Sequence, residues 1–324
     1  MLRYVRAMSN DAMNSSDDSD PLNGLRAELA QGDQSLAGVA PVLVHLLSQS
    51  GQSLVSDQMV ALMRGMLSGM ASELLEQLDA EPGGQSDQSD LHHALVNALS
   101  NNTQLLSHCF ANSIEAQISQ RLERDLHMDQ VLSPLLQELI ASTDQELAEL
   151  AMNVMAAQAR FVQAQTRMRL PLSELPADLF RLVLMTCQEV LSRESETNFK
   201  QASAKLTEGF DEASGRPALL SRLTIAMRGG ANAALNIEHG GVALFASALA
   251  QITKQPRELA IIGCSDRQHA RLALGLRAAS QSYDRIEQVM AIVHPQVDMS
   301  PAFANLTPQA AKTMLSKSSA GTVR

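Results

Sequence analysis

Seven arginines carry the most suggestive chemistry in the sequence: Arg160, Arg167, Arg257, Arg267, Arg271, Arg277 and Arg285. A guanidinium is planar and always charged, and its fork of N–H groups matches carboxylate or phosphate oxygens. Arg160 and Arg167 are seven residues apart, which puts them on one face of a helix, with Arg169 just beyond. Arg267 and Arg271 are four apart and share a face in the same way. Around this second group the local charge balance is positive, leaving few nearby acids to pair with. An external acidic partner is therefore expected there. For Arg160 and Arg167, pairing with acids on neighbouring helices weighs slightly more than a partner-facing role. Both stay in the candidate set.

Other reactive side chains do not form constellations. The eight histidines include no pair at i, i+4, the spacing that lets two imidazoles share a metal on a helix. His92 and His93 are adjacent, so a helix points them about 100° apart. His108 neighbours Cys109, and His127, His239, His269 and His294 stand alone, as packing or surface histidines usually do. Cys109, Cys187 and Cys264 are far apart with no CxxC or metal spacing, so reduced, buried thiols are expected. The stretch Gly263-Cys264-Ser265 lacks the second glycine and the preceding strand of a nucleophile elbow. Gly229-Gly230 and Gly240-Gly241 each precede a helical run and could cradle a phosphate, but paired glycines more often stop helices. No catalytic residue, metal or cofactor is expected from these patterns.

The elements that must position these side chains are helices. Leu, Ala and Met supply the apolar content, while aromatics amount to 3% with no Trp. These are strong helix formers, and the strand-favouring types are sparse. No segment alternates strictly enough for a half-buried strand. Helical spacing predicts segments at 21–30, 36–47, 57–78, 90–99, 102–124, 129–141 and from about 145 to 167, the last entered through a capping box at Thr143. A helix opening at Pro176 and a more polar one over 195–212 follow. Shorter ones are predicted at 217–228, 231–237, 242–253, 256–264, 266–279, 283–293 and 308–316. Short helices on short connectors suggest an irregular HEAT-like array of antiparallel helices with a compact helical C-terminal part, although no fixed repeat period is found. Met59, Met63, Met66 and Met70 make a stripe on one helix, read first as core and second as a surface for self-association.

Composition shifts suggest boundaries. Residues 1–20 are polar and acidic and are expected to be a disordered tail. An N-terminal helical segment covers 21–80. Residues 81–90, rich in Gly, Ser and Asp, read as a linker. The helical array spans 91–214, a basic helical part 215–305, and a short helix with a flexible tail 306–324. Net charge is −10 overall, but residues 215–324 hold 12 Lys and Arg against 6 Asp and Glu. No signal peptide or membrane span is recognised, so the expected location is the cytoplasm.

Two stretches carry a resemblance. One runs from LSPLLQELIAS at Leu132 through AQARFVQ at Ala157 to Arg167-Met168, Leu170-Pro171-Leu172 and Glu174-Leu175-Pro176. The other comprises ALFASALA at Ala243, Glu258-Leu259-Ala260, RQHARLAL at Arg267 and His294-Pro295. Together they resemble an alphaproteobacterial family, the domain of unknown function numbered 2336, and most closely its sphingomonad-type members. The resemblance covers roughly residues 90–305. It implies a helical, HEAT-like fold in a bacterial cytoplasm and implies no catalytic residue or cofactor.

The expected function is a non-enzymatic helical scaffold that binds a protein partner, an acidic one, with a homo-dimer through the N-terminal helices as a second association. One alternative is an enzyme whose site assembles from His239, His269, Glu238, Asp266 and Cys264. The other is nucleic-acid or anionic-ligand binding through the basic C-terminal third. The overall acidity and the lack of stacking aromatics weigh against nucleic acid.

Overall fold

The computed structural model describes residues 21–48, 57–78, 85–191, 196–265, 268–299 and 301–318. The expected tails at 1–20 and 319–324, and the pair Asp266 and Arg267, lie outside these residues. Helices are the only regular secondary structure among the described residues, with no strand among them. In chain order the α-helices are α1 Pro21–Ser48, α2 Asp57–Gln77, α3 Gln85–Ser100, α4 Thr103–Leu126, α5 Pro134–Ile140, α6 Gln145–Thr166 and α7 Ala177–Val190. They continue with α8 Glu196–Gly209, α9 Arg216–Ala226, α10 Ile237–Thr253, α11 Arg257–Ile262, α12 His269–Ala278, α13 Tyr283–Val293 and α14 Pro308–Ser316.

Local chemistry sets most of the ends. Asn102 caps α4 by accepting from the Leu105 amide, and Ser133 caps α5 by accepting from Leu136. The cap of α6 is Asp144, which accepts from Leu147 at 3.2 Å, one residue beyond the expected Thr143. Either residue type suits the position, and the register of the buried face, Ala151, Val154, Ala157 and Phe161, decides between them. α1 is one helix where two were expected. Gly32-Asp33 is too weak a break, and the Asp33 carboxylate is engaged elsewhere in the fold instead of capping a new helix. α3 begins at Gln85, inside the stretch expected to be a linker.

α10 bends where paired glycines were expected to break it. Gly241 takes φ 69°, a left-handed conformation open to glycine at little cost. A Cβ on Gly240 would lie 2.6 Å from the Ala234 carbonyl oxygen. The bend therefore needs both glycines, one for its dihedral and one for its close approach.

A single apolar cluster runs from Leu25 to Leu315 and draws on nearly every helix. α10 lies at its centre, packed against α4, α5, α9, α11 and α12. α1 packs against α4 and also against α12, so the start of the described chain meets its far end. α2 contributes the methionine stripe, with Met63, Met66 and Met70 wholly buried. That stripe faces the chain's own core. No single helix among the described residues is long and apolar enough to cross a membrane.

Candidate functional site

The strongest polar constellation is in the interior. α4 presents His108, Asn112, Glu115 and Ser119, all buried and spaced to share one face, towards α10 and α11. Glu115 is 1% exposed and stands at the centre. Arg216, the first residue of α9, donates to it through Nη1 at 2.7 Å and Nη2 at 2.9 Å. Arg257, the first residue of α11, donates through Nη2 at 2.7 Å and Nη1 at 2.9 Å. Both carboxylate oxygens are thus gripped by two bidentate forks, the strongest geometry such pairs adopt.

The helix starts aim these arginines. Pro217 fits the first turn of α9, where its missing N–H costs nothing, and Glu174 accepts from the Arg216 amide at 2.8 Å. Pro256 immediately precedes α11, and its carbonyl accepts from the Leu259 amide at 3.1 Å. The Arg216 guanidinium lies 3.5 Å from the Phe161 ring centroid and also donates to Gln158 Oε1 at 3.0 Å. Gln158 in turn donates to the Gln130 carbonyl at 2.9 Å. Arg257 Nε donates to Ser247 Oγ at 2.9 Å. α4, α6, α9, α10 and α11 all meet here.

Electrostatics makes this centre inert as an acid or base. Burial alone would raise the Glu115 pKa, but the two guanidiniums hold its carboxyl well below the usual carboxylate range. It stays ionised, and both its oxygens are occupied. The His108 Nδ1 contact at 3.4 Å lowers the Glu258 carboxyl in the same sense. Burial pushes the thiols of Cys109 and Cys264 up to about 12 and that of Cys187 to about 11, far from thiolate chemistry at neutral pH.

A second interior cluster joins the two ends of the chain. Arg271 of α12, 2% exposed, donates through Nη2 to Asp33 of α1 and to Ser318 Oγ, the latter at 2.7 Å. Ser318 Oγ donates to Asp33 Oδ2 at 2.8 Å. Gln268 reaches the Gly32 carbonyl at 2.7 Å.

These positions correct part of the sequence reading. Arg257 and Arg271, expected to face a partner, are turned inward onto Glu115 and Asp33. Local charge balance misled because the acids come from distant helices, 142 and 238 residues away in the chain. Arg277 holds the carbonyls of Leu306 and Gln281, the latter at 2.9 Å. Arg267 lies outside the described residues. Arg285, Arg167 and Arg160 are exposed, and Arg160 is 3.9 Å from Glu174. Arg216, the hub of the centre, was not singled out. Its signal would have been an arginine beside a helix-starting proline.

The other candidates are dispersed. His239 pairs with Glu138 at 3.0 Å, His269 with Glu28 at 3.5 Å, and Cys264 is buried. They do not come together with the exposed Glu238. No group of three or more His, Cys, Asp or Glu able to hold a metal occurs among the described residues. The phosphate reading of Gly240-Gly241 also gives way. Those glycines line a cavity of about 20 Å³ that Asp129 shares, with room for a water and no space for a phosphate.

No family model, no curated protein and no solved structure matches this chain.

Proposed function

We propose that the protein is a non-enzymatic helical platform that presents a fixed outer surface to a protein partner. The observation that carries this reading is the ionic centre at Glu115. Its buried charges act as fasteners between helices far apart in the chain. Truncating one side of such a buried pair is costly, so the helices it joins are held in one arrangement. The Asp33–Arg271–Ser318 cluster does the same for the chain ends.

Within this reading the helices form an irregular HEAT-like array in a bacterial cytoplasm. Packing of chain neighbours supports the array, α2 on α3, α3 on α4, α5 on α6 and α12 on α13, while α1 on α12 and α4 on α11 close it on itself. The resemblance to the domain of unknown function numbered 2336 points the same way. Nucleic acid is a poorer partner, because Arg216, Arg257 and Arg271 of the basic C-terminal third direct their charge inward. Self-association through the N-terminal helices would need a face other than the buried methionine stripe.

The test is purification of tagged full-length protein from its native host at low salt, with mass spectrometry and light scattering. A stoichiometric protein partner lost at high salt is expected. A chain that purifies alone, yet is stabilised against heat by a small metabolite, would overturn the platform reading.

A further inference from the structure

We draw no further inference here: the strongest candidate, the buried side-chain cluster of Asp33, Arg271 and Ser318 where α1 meets α12, leaves Nε and Nη1 of Arg271 without hydrogen-bond partners but belongs to the fastening of the chain ends already described, and nothing in the structure shows what would meet those two nitrogens.

Discussion

Glu115 accepts from two guanidiniums with both oxygens, so removing it strands two cations that the fold has already taken out of water. Glu115→Ala should cost about 3–5 kcal/mol, the range for breaking a buried pair from one side. Urea unfolding should show a lower midpoint with an unchanged slope. Arg257→Ala should cost less, because its side chain is 19% exposed and water can reach the space it leaves. The pH dependence follows from the direction of the shift. Glu115 titrates lower in the folded chain than the ordinary value of 4.5, so its contribution is present above that value and lost as pH falls through the folded one. The urea midpoint should fall on acidification below about pH 4 for the wild type, and the acid limb should be shallower in Glu115→Gln. An equally steep limb in both would place the acid sensitivity elsewhere. At this scale the sequence was only half legible. Arg257 stood out by type and spacing, but nothing in its surroundings pointed to an acid on α4.

Helix ends were read more successfully than helix contacts, because caps and prolines act within a few residues. α13 and α14 begin and end where periodicity puts them, at 283–293 and 308–316. Residues 85–90 went astray because Ser, Gln and Asp without apolar partners look like a linker even where they are helical. What a helix face receives is set by the other side of the contact, and the glycines of α2 show this. A Cβ on Gly65 would stand 2.6 Å from both the Cβ and the carbonyl oxygen of Met168. Gly69 meets Arg169, and Glu73 accepts from the Leu172 amide at 3.1 Å. The connection after α6 thus lies along one face of α2. In an exposed helix interior, Gly→Ala gains roughly 1 kcal/mol. Gly38→Ala on α1, with nothing within 4 Å, should therefore stabilise the protein. Gly65→Ala should destabilise it, since backbone must move to admit the methyl group. Thermal unfolding of the two variants should shift in opposite directions; a rise in both would show that the Met168 turn yields freely.

A linear stack of helices touches only its neighbours, so either end can fray without disturbing the rest. Here α1 packs on α12, and Asp33 meets Arg271 and Ser318 across 238 and 285 residues of chain. Composition marks an N-terminal helical segment at 21–80 and a linker after it, but a charge and polarity profile does not register a long-range ion pair such as this one. Arg271 is 2% exposed and leaves Nε and Nη1 without hydrogen-bond partners, so its bond to Asp33 carries much of what compensates a buried cation. Asp33→Ala leaves that cation facing only Ser318, at a cost of about 3–5 kcal/mol. The penalty falls on the docking of α1 and α14, while α4, α6 and α9 keep the Glu115 centre intact. Native-state hydrogen exchange resolves such local openings. In the wild type, amides of α1 over residues 25–39 should be protected nearly as well as those of α12. In Asp33→Ala they should exchange by a local opening, with α4, α6 and α9 unchanged. If protection fell uniformly across all helices, the ends and the centre would unfold as one unit, and the Asp33 cluster would be a fastener of the whole fold. If protection did not change at all, the apolar packing of Leu25 and Leu29 alone would hold α1 in place.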